Sequence, residues 1–285
     1  MINFIKMDLF RYFKSIGFWV CLGIFTFLCI SDAVATKKMI NQTYEEYVKD
    51  NYDMTVEEFE NVNQEADVEI GISSQTDELA KQVTKNKRIT YESCISLYFA
   101  GNFVQVFMCI LMSIFVCKEY KSGFIKNTIN IPRHRWYNNI SKFIIAIITF
   151  MIFILDILIS NKIVVKDIYI GNYATLFKYL GVQFLLILAF MALIIFICNL
   201  FKSTAVSITV SILLTTGMIL VVLYGVSYVI PVKVETLMKF FISTVNGGIT
   251  LDITGQALIE AIALGVTALT GYGFLGALIF NKQDV

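Results

Sequence analysis

The chain has 285 residues, 57% of them hydrophobic and only 16% charged, with a mean hydropathy of +0.70 and a net charge of +1. That balance excludes a water-soluble globular domain, whose surface needs more charge, and gives no reason to expect a nucleic-acid partner. The six cysteines have no CxxC spacing and fall within apolar runs, so they read as small buried hydrophobes, not as disulfides or metal ligands.

Residues 1–15 read as an interfacial helix. Ile2, Ile5, Leu9, Tyr12 and Phe13 recur along one stripe, with Asn3, Arg11 and Lys14 roughly opposite. Six apolar runs then follow, at Ile16–Ala35, Cys94–Cys117, Phe143–Ser160, Tyr179–Leu200, Ala205–Ile230 and Ala257–Phe280. Each is long enough to span a bilayer core of roughly 30 Å, the third being the weakest on length. The first run ends in Ala33-Val34-Ala35 after a basic start and so imitates a cleaved leader, but its length favours a retained span. Phe201–Thr204 reads as a tight turn between the fourth and fifth runs.

Charge sets the orientation. With both termini inside, the inner segments hold 11 Lys/Arg in 49 residues and the outer segments 12 in 102, so basic density inside is about twice that outside. The outer segment 36–93 is acidic, with 13 acids against 7 bases. Thr55-x-x-Glu58 in it resembles a capping box, and Ser74-x-x-Asp77 is expected to open a second short helix carrying Leu79 and Val83, with Gly71–Ser74 as the turn between.

The inner segment 118–142 carries six Lys/Arg against one acid. Tyr120/Phe124 and Ile125/Ile129 are i, i+4 pairs, which predicts a short surface helix stopped by Pro132, with Arg133, Arg135 and Trp136 at headgroup level. On residue chemistry alone this platform suits a lipid anchor as well as a protein dock.

Catalytic chemistry is sparse. There is no P-loop motif, the single histidine His134 lacks a partner, and no nucleophile–base pair lies at membrane depth, so no enzyme is expected. Three carboxylates fall inside predicted spans, Asp32, Asp156 and Glu260. All three are expected within about a turn of the outer interface, paired with Lys162 or Lys166 or forming an acidic ring where cargo leaves. Asn102, Gln105 and Gln183 lie deeper and are candidates, with Asp156 and Glu260, to line a substrate path. In the last span Ala261, Gly265, Gly273 and Ala277 share a small-residue face, as do Ala263, Thr267 and Gly271, and both mark close helix packing.

The order Glu119, Gly123, Pro132, Arg133, Lys142 resembles the permeases of type-2 ABC transporters, in which a Glu follows the second span, then a Gly, a Pro and an Arg, and a Lys opens the third span. The closing Ile279–Val285 resembles that family's short tail. The resemblance implies an all-α polytopic membrane protein with six transmembrane helices and cytoplasmic termini. It implies that Glu119–Asn130 is a coupling helix, with Glu119, Tyr120, Lys121, Gly123, Phe124, Lys126 and Arg133 contacting a cytoplasmic P-loop ATPase. Two ATPases, holding the ATP and magnesium, and a second permease copy or homologue would complete the assembly; this chain itself binds no cofactor. The acidic outer loop suits cationic antimicrobial peptides as exported cargo. The alternative is a membrane sensor or scaffold whose basic loop binds lipid or a signalling protein.

Overall fold

The computed structural model describes residues 2–59, 71–125, 132–166, 168–216, 218, 225 and 238–282, with side chains outside the description at 71–78, 132–136 and 281–282. Helix α1 (Ile2–Phe13) is followed after Ser15 by α2 (Ile16–Asn41), then α3 (Tyr44–Tyr52) and α4 (Gly71–Asn86). Strand β1 (Ile89–Thr90) leads into α5 (Tyr91–Ala100), α6 (Phe103–Lys121) and the 34-residue α7 (Pro132–Val165). After β2 (Ile168–Tyr169) come α8 (Tyr173–Phe201), α9 (Thr204–Thr215), α10 (Ile242–Gly248) and α11 (Gly255–Lys282). The two short strands pair in parallel, Ile89 with Ile168 and Thr90 with Tyr169.

Among the described residues five helices are long and apolar enough to cross a membrane: Ile16–Asn41, Phe103–Lys121, Tyr137–Val165, Tyr173–Phe201 and Gly255–Phe280. This is the architecture of an all-α, multi-pass membrane protein. Of the fifth predicted run, Ala205–Ile230, the structure describes the apolar α9 and little beyond Thr216, so six spans are not seen.

Side-chain pairings fix the relative directions. Phe25 stacks on Phe153 and Thr26 bonds Asp156, so α2 and α7 run parallel. Leu185 faces Gly265 and Phe196 faces Gly276, so α8 and α11 also run parallel. Helices α6 and α9 run antiparallel along a ladder of small polar groups: Cys117 with Ser207, Ser113 with Ser211, Cys109 with Thr215. The bundle therefore has two ends. The basal end gathers α1, the end of α6, the start of α7, and the ends of α8 and α11. The distal end gathers α3, α4, α10 and the connections around β1 and β2.

Several predicted boundaries shift for local reasons. The second run is cut at Gly101–Asn102, where Asn102 takes a left-handed backbone (φ 53°), a conformation asparagine tolerates better than most residues. The third run, weakest on length, lies inside the longest described helix, which Pro132 opens, since proline at a first helical position loses no needed N–H; residues 126–131, where the short helix stopped by Pro132 was expected, lie outside the described residues. The turn at Phe201–Thr204 is where it was expected, with Lys202 left-handed at φ 52°. At the distal end the Thr55–Glu58 cap forms, with amide to hydroxyl at 3.3 Å and amide to carboxylate at 2.9 Å. A second capping box, Thr43–Glu46, opens α3, a helix the sequence reading did not foresee. Gly71–Ser74, expected as a turn, is the first turn of α4, and Leu79 and Val83 are buried on that helix as expected.

Candidate functional site: a charged knot under the basal loop

The charged residues of the basal end are not spread over a surface. Asp8 of α1, Glu119 of α6 and Lys142 of α7 are buried, with side-chain exposures of 0%, 1% and 1%. The Lys142 Nζ donates to Glu119 Oε1 at 2.6 Å and to Asp8 Oδ2 at 3.1 Å. Arg11 reaches in from the rim, its Nη1 at 3.1 Å from Glu119 Oε1 and 3.3 Å from Asp8 Oδ1. Two acids and two bases thus cancel inside a shell that includes Phe115 against Lys142 and Phe124 against Arg11, at 4.7 and 3.9 Å. Desolvating four charges is costly, and only such mutual hydrogen bonding offsets the cost. Beside the knot, Tyr12 is buried and bonds Thr149 at 2.8 Å; burial pushes its hydroxyl well above the usual tyrosine range.

The knot corrects the reading of the loop. Glu119 faces inward and has no free surface with which to touch a partner. Tyr120 also turns in, donating to Asn199 Oδ1 at 2.9 Å. Helix α6 runs on through Lys121 and breaks at Gly123, whose φ of +70° is open to glycine and strained for other residues, so no single helix carries Tyr120 and Phe124 as an i, i+4 pair. Lys118, Lys121 and Ser122 are exposed, while Gly123 and Phe124 are half-buried. Lys126 and Ile129 lie outside the described residues; Arg133 sits in the first turn of α7 with its side chain outside the description. The stripe on α1 is also rotated from expectation: Tyr12 is buried, but Ile2 is exposed and Asp8 and Arg11 point at the knot. Asp8 was missed entirely. Its signal was positional, an acid four residues before Tyr12 on the same helix face.

The path candidates separate into three places. Asn102 and Gln183 join one network through Asn246: the Asn246 side chain donates to Asn102 Oδ1 at 3.0 Å, and Gln183 Nε2 donates to the Asn246 carbonyl at 3.1 Å. Asn102 also donates to the carbonyls of Thr215 and Ser243, at 3.3 and 3.1 Å, which ties α6, α9 and α10 together. Gly247 makes that approach possible, since a Cβ there would sit 3.0 Å from the Ala100 carbonyl. Gln105 is fully buried one turn below Asn102, and neither of its polar atoms has a hydrogen-bond partner among the described residues. Asn246 and Ser243 went unnoticed in the sequence because the segment looks like an outer loop.

Asp156 accepts from Thr26 at 2.7 Å and Ser160 at 3.4 Å, not from Lys162, whose Nζ donates to the Lys166 carbonyl. It lies nine residues before the end of α7, about 14 Å along the helix axis. Glu260 is exposed near the start of α11 and pairs with Lys239 at 3.5 Å. Among the described residues Asp156 and Glu260 thus have separate partners. A further buried acid, Glu92, accepts the backbone amides of Gly171 and Asn172 at 3.1 and 2.6 Å, and so pins α5 to the turn before α8. Compared with known protein families and with curated proteins, the chain matches none.

Proposed function

We propose that the chain is the membrane-spanning permease subunit of an ATP-driven exporter, with its basal end in the cytoplasm and a separate P-loop ATPase docked beneath the loop between α6 and α7. One observation carries this reading. Glu119 and Lys142, on either side of that loop, close a buried ion pair of 2.6 Å that also grips α1 through Asp8 and Arg11. A loop that merely rests on lipid gains nothing from so costly an internal cross-link. A loop that receives force needs one, because the push must reach the bundle without being absorbed by a hinge. The exposed Lys121 and Ser122, with Phe124 beside them, are the surface left to the partner.

From the knot, displacement passes to α7 and α6 directly. The ladder between α6 and α9 consists of small hydroxyl and thiol groups 3.4 to 3.7 Å apart, weak contacts that can re-form after a shift. The unpartnered polar atoms of Gln105 lie on that same helix and suit a wetted interior. ATP would drive export by binding better to the arrangement in which the ATPases are closed, and the bundle would follow. A second permease copy and two ATPases complete the unit, as the Glu119–Lys142 motif order implies.

Co-purification from native membranes tests the reading: a P-loop ATPase should accompany the chain. Lys121→Glu should abolish coupling while leaving membrane abundance unchanged. An active assembly containing no ATPase, or labelling that places Lys121 outside the cell, overturns it.

A further inference from the structure

We infer that the distal cleft between α2 and the α5–α6 break is a binding site for a small organic cation with an apolar body, and that Asp32 is its counter-ion. The cleft has a volume of about 430 Å³. One wall is a single face of α2, with Leu28, Asp32 and Ala35 along it; the other is built by Leu97, Tyr98 and Phe103 around the break.

Asp32 is the unusual member. It lies in a membrane-crossing helix, nine residues before the end at Asn41, about 14 Å along the axis. Among the described residues it makes no ion pair. The Tyr98 phenol lines the same cleft, its hydroxyl donating to the Cys29 carbonyl at 3.4 Å. The residue is exposed along the cleft wall. An unpaired carboxylate in a membrane-crossing helix marks a functional position by default, and a mobile cation is what would satisfy it.

The walls state what else the ligand must carry. They are apolar apart from Asp32, Ser31 and the Tyr98 hydroxyl, and the rings of Tyr98 and Phe103 add faces on which a cation is stabilised. The volume falls within the range of about 300–1,000 Å³ that holds a small molecule and is too small for a folded amphipathic peptide. A larger cleft of about 560 Å³ between α10 and α11 does not compete, since its carboxylate, Glu260, is already neutralised by Lys239 at its mouth.

The site does not depend on the export reading; only its use as a cargo site would. The test is accordingly binding to the full chain alone, in lipid nanodiscs without any ATPase. Tetraphenylphosphonium is the probe, with tetraphenylborate, the same shape with opposite charge, and empty nanodiscs as controls. Saturable binding of the cation and not of the anion is expected. Asp32→Asn should weaken it about tenfold or more. Asp32→Glu should retain it, and Leu28→Trp should block it by filling the wall while the carboxylate remains. Wild-type binding by folded Asp32→Asn, or equal binding of the two ions, overturns the site and leaves the function proposed above untouched.

Discussion

The two ends of the bundle treat charge in opposite ways. At the basal end Asp8, Arg11, Glu119 and Lys142 converge from three helices and cancel, three of them with at most 1% of the side chain exposed. At the distal end Asp32 stands in an open cleft with an aromatic hydroxyl for company. The first arrangement is expensive to build and rigid once built, because removing any member strands the others in a low-dielectric interior. The second costs little structure to alter, because nothing else is arranged around that charge. The difference separates a part that holds the molecule together from a part that is free to take a ligand.

Breaking one charge at each end gives the largest contrast. Lys142→Met leaves Asp8 and Glu119 with only the partly exposed Arg11 and should cost about 3–5 kcal/mol, read as a large fall in unfolding temperature. The double variant Glu119→Gln/Lys142→Met should cost clearly less than the sum of the singles, since paired groups couple. Asp32→Asn, a comparable loss of one charge, should leave thermal stability unchanged or raise it. Equal destabilisation by the two single changes would erase the distinction between the ends.

The distal end has its own rigid element, uncharged, at the α5–α6 break. Asn102→Ala removes two donated hydrogen bonds and one accepted one, and places alanine at a left-handed φ of 53°. A loss of about 2–3 kcal/mol in equilibrium unfolding is expected from those terms together. Asn102→Gly should recover the backbone part only. Were Asn102→Ala silent, the distal network would not be holding α10, and the charged knot would be the one structural lock.

Packing of α11 offers a smaller and sign-reversing pair. A Cβ at Gly265 would lie 2.8 Å from Leu185 Cγ, whereas one at Gly271 meets nothing within 4 Å. Gly265→Ala should therefore destabilise by about 1–2 kcal/mol through overpacking. Gly271→Ala should stabilise by up to about 1 kcal/mol through helix propensity. Thermal unfolding of the two side by side decides it.

How much of this was legible beforehand varies with the physics. The apolar runs, the turn at Phe201–Thr204 and the small-residue face of α11 were readable, because length, hydropathy and spacing are local quantities; Ala261 and Ala277 are buried on that face as its periodicity implies. The importance of Glu119 and Lys142 was readable from their order, but not their contact, because they stand 23 positions apart in the sequence. Asp8 and Arg11 could not be placed at all: an amphipathic stripe says which face is apolar, not that a buried acid interrupts it. The break at Asn102 was hidden for the opposite reason, since a long apolar run gives no sign that one asparagine will leave the helix to bond two other segments.

The smallest effect concerns a third kind of charge, exposed but partnered. Glu58 accepts the Thr55 amide at 2.9 Å and the Thr55 hydroxyl at 2.9 Å, and the amide above all holds its carboxyl below the usual glutamate range. Asp50 is likewise held low, chiefly by the hydrogen bond from Lys38 and then by Gln42. Each folded-state value lies below the unfolded one, so the stabilisation is complete above the ordinary carboxylate range and is lost as pH falls through the lowered value. Hydrogen exchange, corrected for intrinsic rates, should show protection at residues 43–59 declining from about pH 5 downward while α7 and α8 stay protected. Glu58→Gln keeps an acceptor without the charge and should flatten that decline around the cap. Solvent screening keeps the change small. A decline that instead began in α6 and α7 would make the basal knot the first part of the molecule to yield.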